Sequence, residues 1–247
     1  MTPPAPTSTL TIAGEAIELL PHRAAFWPAR RTLIAADLHL GKCETLRAAG
    51  MPIPAGVIER DLARLAAAVA QTRATRILIV GDLIHHGSGL TPELIDLVAA
   101  FRRTALPDIE LGLIRGNHDR SADLILKQWV VTPLPDAYLD APFGFAHDPA
   151  DGLVPGALCT WYGHIHPLCR IGTRGDGLSI PCFMVDADHV LLPAFSQFTR
   201  GIAIAPPPPP SARVFGIADG RVIDIPARPL TPRERPRKPS CLNARPG

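Results

Sequence analysis

Several features of exported and membrane proteins are missing from this chain of 247 residues. Its five cysteines are an odd number and form no Cys-x-x-Cys pair, which argues against a disulfide framework and a thiolate zinc site. No stretch reaches the roughly 18 apolar residues that a membrane-spanning helix needs. The first basic residue is Arg23, so the charged region that opens a signal peptide is lacking. We therefore expect a cytoplasmic protein without a membrane segment.

Lysine is also scarce, whereas arginine and proline are abundant. Only 3 of the 25 basic residues are lysines, and 28 residues are prolines, which is about twice the average share. The net charge of +2 is uneven, because residues 228–247 carry +5 and the rest of the chain carries −3. This distribution excludes a globally basic nucleic-acid coat and leaves the C-terminal segment as a local candidate for phosphate binding.

Apolar periodicity divides the chain into a part that alternates strands with helices and a part rich in strands. The first part predicts a hairpin over 9–20, strands at 32–36, 76–80 and 109–114, and helices at 57–72, from Thr91 to about Arg103, and after Ser121. The second part predicts short strands at 129–131, 143–146, 158–162, 179–185 and 190–192. This order favours an α/β (α+β) fold with two mixed β-sheets flanked by helices, a four-layer αββα sandwich.

Proline marks the expected end of the domain. We predict one domain over residues 1–205, because 206–210 are five consecutive prolines. The Pro/Arg-rich segment 206–247 predicts a hairpin at 213–225, with a turn at Ala218-Asp219-Gly220, and disorder elsewhere.

Five short segments carry acidic, amide or imidazole side chains directly after apolar strands, where active-site residues commonly lie. They are Asp37-Leu38-His39, Gly81-Asp82, Gly116-Asn117-His118-Asp119, Ala146-His147-Asp148 and Gly163-His164-Ile165-His166. In an extended Asp-x-His or His-x-His segment, residues i and i+2 point to the same side. Both members of each pair can therefore face one metal cluster.

The candidate ligands in these segments are two of the aspartates, one asparagine and four histidines, with one more histidine to spare. Oxygen and imidazole donors without thiolates suit Mn²⁺, Fe or Zn²⁺ better than Mg²⁺ or Ca²⁺. Seven donors exceed the needs of one ion and suit two ions that share a carboxylate. Two ions roughly 3.5–4 Å apart produce hydroxide at neutral pH and stabilise both oxygens of an in-line displacement. The donor set therefore predicts phosphoester hydrolysis.

In this order, the five segments resemble the signature of the calcineurin-like metallophosphoesterases, D-x-H … G-D … G-N-H-D … H … G-H-x-H. Their surroundings are similar to the bacterial ligase-associated DNA damage response endonucleases (PdeM type), which are described as manganese-dependent and encoded beside repair ligases and helicases. The similarity covers roughly residues 8–205, and the stretches that carry it are 37–42, 47–54, 163–167 and 192–195.

The resemblance implies a role for each motif residue. Two divalent ions are implied, Mn²⁺ first and Fe or Zn²⁺ as alternatives, with Asp37, His39 and His166 on one ion, Asn117, His147 and His164 on the other, and Asp82 bridging. His118 would steady the phosphate oxygens or protonate the leaving oxygen. Asp119 would hydrogen-bond His118 and fix its tautomer. The count of donors also leaves His118 as the spare imidazole.

The resulting expectation is a DNA endonuclease or phosphodiesterase that acts in DNA repair, in association with repair ligase or helicase proteins. One alternative is a phosphatase or pyrophosphatase for a nucleotide or another small phosphoester, because the same metal cluster would serve it. A non-catalytic scaffold of the same fold is disfavoured, because all of the ligands and His118 are present.

Other polar residues near the motifs admit two interpretations. His85, three residues after Asp82, supports the ligands, faces the substrate, or is an ordinary polar residue. Lys42, Arg47 and Arg120 are phosphate contacts or solvated charges.

Overall fold

A computed structural model describes residues 7–120, 122–171, 177–204 and 211–226. The helices in this part of the chain are Lys42–Ala48 (α1), Val57–Thr72 (α2), Pro92–Ala105 (α3) and Asp123–Gln128 (α4). Thr91 caps α3, because its hydroxyl accepts a hydrogen bond from the Leu94 amide. Within the described ranges, no helix is both long enough and apolar enough to cross a membrane.

The first sheet has seven strands whose order in space is their order along the chain. They are β1 (Ser8–Ile12), β2 (Glu15–Leu20), β3 (Ala24–Trp27), β4 (Thr32–Ala35), β5 (Arg76–Val80), β6 (Glu110–Ile114) and β7 (Thr132–Leu134). The strands from β1 to β4 pair antiparallel, and those from β4 to β7 pair parallel. The parallel pairs require crossover connections, which α2, α3 and α4 provide.

The second sheet is formed by nine strands. They are β8 (Tyr138–Asp140), β9 (Phe143–Phe145), β10 (Cys159–Tyr162), β11 (Pro167–Ile171), β12 (Leu178–Val185), β13 (His189–Leu191), β14 (Ile202–Ala203), β15 (Arg213–Ala218) and β16 (Arg221–Ile225). The order is β14-β11-β12-β13-β10-β9-β8, with β15 paired to β12 and β16 to β15. Both β9 and β13 run parallel to β10, whereas β12 runs antiparallel to its neighbours.

Side chains alternate along the strands and so sort into layers. In β4, Leu33 and Ala35 pack with residues of α2, α3 and α4, whereas Ile34 packs with the second sheet. In β12, Phe183 belongs to the layer between the sheets, and Cys182 lies on the other face. Two mixed sheets with flanking helices confirm the predicted fold class.

Aromatic side chains join the two sheets. The Trp27 ring meets the Phe143 ring edge-on, with centroids 4.8 Å apart, and Phe143 meets Trp161 in the same way at 5.7 Å. Edge-to-face contacts of buried rings add to the free energy gained by burying them. Because these residues belong to β3, β9 and β10, the contacts join the first sheet to the two strands of the second sheet that precede motifs.

The hairpin of β15 and β16 belongs to the second sheet, which corrects the domain boundary predicted at residue 205. The hairpin itself is present as predicted, with Ala218 opposite Arg221. Its first strand pairs with β12, Phe215 lies opposite Phe183, and the Phe215 side chain is buried between the sheets. The apolar alternation of β15 therefore continues the core beyond the proline run. Of the other residues of 206–247, for which disorder was predicted, 211, 212 and 226 are described and Ala212 is buried; the rest lie outside the described ranges.

Several short elements differ from the sequence prediction. The strand expected at 129–131 lies instead at Thr132–Leu134, because Trp129 ends α4 and is buried in the helix layer. Helix α1 was not predicted. It has only seven residues, and its N-cap is Gly41, which offers no capping side chain. Strands β3, β8, β11 and β14 were also not predicted.

Candidate metal centre

The five motifs meet at the edge where the strands β4, β5, β6, β9 and β10 end. Hydrogen bonds join the loops that follow these strands, from the Asp37 amide to the Gly81 carbonyl and from the Gly163 amide to the His147 carbonyl. Ala36 forms a bridge with Ala194, which links the edge to the chain that follows β13. All of the predicted donors are therefore brought together.

Three donors form the first trio, Asp37, His39 and His166, whose ligand atoms lie within 4.8 Å of one another. The Nε2 atom of His166 is 3.4 Å from Asp37 Oδ1 and 3.4 Å from His39 Nε2. Asp37 is fully buried, and its Oδ1 atom has no hydrogen-bond partner among the described residues. A buried carboxylate oxygen without a hydrogen bond is costly, so this trio fits a cation.

Three further donors form the second trio, Asp82, His147 and His164. The Nε2 atom of His147 lies 3.4 Å from Asp82 Oδ2, 3.2 Å from His164 Nδ1 and 3.2 Å from the Asn117 amide oxygen. Asp82 Oδ2 is also 3.9 Å from His39 Nε2. Asp82 therefore belongs to the second trio and also faces the first, and Asn117 adds a further oxygen donor to the second.

The electrostatics of the centre favour positive charge beside Asp82. Burial opposes ionisation of this carboxyl, but the hydrogen bond and the charge of His147 lower its pKa to about 2. Burial likewise opposes protonation of His147, but Asp82 and Asp37 raise the pKa of this histidine to about 9. Burial also raises the pKa of Asp37, with His166 opposing it. A divalent cation satisfies the same preference that stabilises a proton on His147.

Five of the seven predicted ligands have a left-handed backbone, with φ between 47° and 63°: Asp37, His39, Asp82, His164 and His166. This conformation costs a residue other than glycine roughly 1–2 kcal/mol and is concentrated at functional sites. The Asp-x-His and His-x-His segments were predicted to be extended, and this prediction is wrong. Their side chains converge because the backbone turns at both members of each pair.

Glycine precedes three of the predicted ligands, Asp82, Asn117 and His164, and at each glycine the backbone is approached too closely for a side chain. A Cβ atom on Gly81, whose φ is 81°, would lie 1.8 Å from His147 Nδ1. On Gly116, a Cβ atom would lie 2.2 Å from Asp82 Oδ1. The Nδ1 atom of His147 is 3.3 Å from the Val80 carbonyl oxygen, to which it can donate a hydrogen bond. Its Nε2 atom is then free to face the other donors.

His118 and Asp119 are placed differently from each other. The His118 amide donates to Asp82 Oδ1 at 3.0 Å, and its ring Nε2 lies 3.9 Å from Asp82 Oδ2 at the partly exposed mouth of the centre. Asp119 is fully buried, and its carboxylate accepts hydrogen bonds from the amides of Gly116, Leu83 and Ile84. Within the described part of the chain it makes no bond to His118, so the predicted contact is corrected. Asp119 instead joins the loops that carry Asp82 and His118.

The role of His85 could not be predicted from the motifs. Its ring stacks on His118, with centroids 5.1 Å apart, and meets His39 edge-on at 5.4 Å. Three ring nitrogens, from His39, His85 and His118, lie within 4.8 Å of one another. The sequence signal was its place three residues after Asp82, on the loop that leaves β5.

Of the three basic residues considered, one faces the centre. The half-buried ammonium of Lys42 donates to the Thr199 hydroxyl at 3.3 Å and interacts electrostatically with Asp37 and Asp82. Arg47 instead bonds to Glu44 and to the carbonyls of residues 53 and 54, and so braces the loop after α1. Arg120 is exposed.

Comparisons with known proteins show what the chain is similar to. A model of the family "Calcineurin-like phosphoesterase" matches residues 30–198. The crystal structure of the nuclease MPE from Pseudomonas putida is 30% identical, with a TM-score of 0.76 over 89% of this chain and 100% of that one. Yfce, a phosphoesterase from E. coli, is 15% identical, with a TM-score of 0.42 over 80% of this chain and 99% of that one. A comparison with curated proteins gave no match.

Proposed function

The chain belongs to the calcineurin-like phosphoesterase family, and from this membership we propose that it is a dinuclear metal-dependent phosphodiesterase that cleaves DNA. The position of Asp82 carries the proposal. Its Oδ2 atom lies 3.9 Å from His39 Nε2 in the first trio and 3.4 Å from His147 Nε2 in the second. A carboxylate shared by two donor sets is what a pair of neighbouring cations requires.

In this proposal every predicted ligand has a place. Asp37, His39 and His166 hold the first ion, Asn117, His147 and His164 hold the second, and Asp82 serves both. Carboxylate, amide and imidazole donors support Mn²⁺, with Fe and Zn²⁺ as alternatives. When bound, such a pair of ions supplies a nucleophile at neutral pH and neutralises charge on the phosphoryl group.

His118 is the residue assigned to the phosphate and the leaving oxygen. Its ring is 35% exposed and reaches the mouth of the centre, while its amide is tied to Asp82. From Nε2 it can donate a hydrogen bond to a phosphate oxygen or a proton to the departing oxygen. Asp119 positions the His118 loop from below, and the His85 ring packs against the His118 ring and restricts its rotation.

DNA is the proposed substrate because of the likeness to a nuclease, which extends over nearly the whole chain. Lys42 supports it, since an ammonium beside the first trio is suited to a phosphate of the strand. The motifs that resemble the ligase-associated endonucleases add a repair setting in the cytoplasm, with repair ligase or helicase proteins as partners.

The test is a nuclease assay with Mn²⁺ on supercoiled plasmid and on end-labelled single- and double-stranded oligonucleotides, beside a p-nitrophenyl phosphodiester. We expect nicking that EDTA abolishes. His118→Ala should keep its metal and lose roughly 10²–10⁴-fold in rate, the usual contribution of a general acid. His86→Ala is the matched control, because this exposed imidazole only caps the turn at Gly87–Gly89.

Two results would contradict the proposal. Turnover of the small diester without any nicking would assign the chain to small phosphoesters instead of DNA. An unchanged rate in His118→Ala would remove this residue from the reaction.

A further inference from the structure

Residues 194–202, which we call the strap, run along the first trio. The Ser196 amide donates to the Asp37 carbonyl at 3.2 Å. The Arg200 carbonyl lies 3.0 Å from His166 Nδ1, and the Ile202 amide donates to the His166 carbonyl at 3.2 Å. Among the described residues, the strap makes no hydrogen bond to a member of the second trio. It therefore contacts one half of the centre selectively.

The contact at His166 decides which ring nitrogen faces inward. Because Nδ1 lies at hydrogen-bonding distance from a carbonyl, it carries the proton, and Nε2 is left to face Asp37 and His39 at 3.4 Å. The contact at Asp37 restrains a left-handed backbone, which persists only where surrounding contacts hold it. Moving the strap would disturb both ligands together.

Two charged side chains of helix α2 hold the strap, the buried Asp61 and the partly buried Arg64. Asp61 is 6% exposed; its carboxylate accepts from the Arg64 guanidinium at 2.8 Å and from the Gln197 amide at 3.4 Å. Arg64 also donates to the Phe195 carbonyl, and its guanidinium lies 4.5 Å above the Phe195 ring.

A third charge completes this arrangement, because Arg23 donates to the Ser196 carbonyl at 2.8 Å. Buried charges are costly unless they are paired and fully hydrogen-bonded. Here they are aimed at three consecutive residues of one loop, 195–197. That placement is not explained by packing of α2 on the first sheet, for which apolar residues suffice.

We propose that Asp61 and Arg64 are positioning residues, which hold the strap and thereby set the geometry of the ligands of the first ion and not those of the second. The inference rests on the proposed function, since it concerns one of two ions. It goes beyond the motifs, because neither residue belongs to them and neither touches a ligand directly.

The experiment counts and characterises bound Mn²⁺ in the full-length protein carrying Asp61→Asn, Arg64→Met or Arg64→Lys. Metal content is measured by mass spectrometry, and paramagnetic resonance distinguishes a coupled pair of Mn²⁺ ions from a single ion. We expect Asp61→Asn and Arg64→Met to weaken one ion by about 10–100-fold, the usual effect of removing support for a ligand. Arg64→Lys keeps the charge and should restore part of the affinity.

Double variants identify which ion is lost. His166→Ala removes a ligand of the first ion, and His164→Ala removes one of the second. Asp61→Asn combined with His164→Ala should weaken binding of both ions, whereas Asp61→Asn should add nothing to His166→Ala, because effects on the same ion are not additive.

Arg102→Met is the matched control. Arg102 is a buried arginine on α3 that donates to the carbonyls of Leu106 and Ile109, away from the strap. It should lose stability and still bind two ions.

Wild-type affinity in the Asp61 and Arg64 variants, or equal weakening of both ions, would overturn the positioning role. If Asp61→Asn does not fold, Arg64→Lys decides by the same criterion. If the wild-type protein binds a single ion, the dinuclear proposal fails. In that case, weaker binding of that ion in the Asp61 and Arg64 variants supports the positioning role, and unchanged binding overturns it.

Discussion

The first and second trios of the centre use the same kinds of donor but are held in different ways. The first trio is enclosed, with Asp37 fully buried, and the strap that contacts it is fastened by charges on α2. The second trio is more open, with His164 39% exposed, and His147 packs directly on Gly81. Support for the second trio thus lies within the motifs, whereas the first trio, although the His164 amide also donates to Asp37, is supported in addition from elsewhere in the chain.

This difference distinguishes the support that a motif provides for its own ligands from the support that the ligands receive from distant parts of the chain. A glycine beside a donor acts within a few residues, because it removes a Cβ atom where another ligand approaches. A strap anchored on a helix acts over long sequence separations, such as the 136 residues between Asp61 and Gln197. Variants that disturb one trio alone should therefore weaken binding of one ion, and a variant that disturbs both trios should weaken binding of both ions.

Asp82→Ala should have the largest effect, because its carboxylate belongs to the second trio and also faces the first. We expect activity below detection and weakened binding of both ions, measured as Mn²⁺ per chain together with the nuclease rate. Asp82→Asn, which keeps the volume but not the charge, separates the effect of the charge from that of a cavity. Retained activity in Asp82→Ala would falsify the dinuclear assignment.

Gly81→Ala should disturb the second trio and so weaken binding of the second ion. A methyl group there would overlap His147, so we expect binding of the second ion to weaken by about 100-fold, the upper end for disturbed ligand support. Gly14→Ala is the control, since Gly14 has a similar φ of 84° but no atom within 4 Å of the added Cβ. If both variants bind Mn²⁺ equally well, close approach is not the reason for the glycine.

Lowering the pH should also weaken binding of the second ion. The weakening should begin at a higher pH than it would for a histidine with an ordinary pKa. The pKa of His147 is raised to about 9 from 6.5, so below pH 9 a cation must displace its proton. Affinity should fall about tenfold per pH unit as the pH drops from 9 towards 7, because one proton is exchanged. Mn²⁺ titrations of His166→Ala isolate the second ion. An affinity that is constant from pH 7 to 9 would show that His147 has an ordinary pKa.

Lys42→Met should have the smallest effect, at the edge of the first trio. If its ammonium meets a DNA phosphate, KM should rise several-fold with kcat nearly unchanged, and the salt dependence of log KM should decrease by about 1. Arg47→Met, on the same helix but engaged with Glu44, is the control and should leave the salt dependence unchanged. Equal slopes in Lys42→Met and the wild type would exclude the phosphate contact.

The elements that the sequence predicted best are those with long, regular patterns. Helix α2 and strand β5 begin and end where their apolar spacing indicates. Helix α1 has neither length nor a capping side chain, and it forms beside the turn at Gly87–Gly89, to which it is tightly packed through Gly41 and Gly89. Membership of β15 in the second sheet could not be predicted, because its partner β12 is distant and a proline run stands before it.

The sequence by itself determined which side chains form the centre, because metal preference depends on donor chemistry and the motif glycines mark where backbones approach. Tertiary structure alone decided how six of the seven donors divide into two trios, that Asp119 binds amides and not His118, and that Asp61 and Arg64 hold the strap. The physical reason is that these features are contacts between segments far apart in the chain. Such contacts follow from packing, which no local pattern encodes.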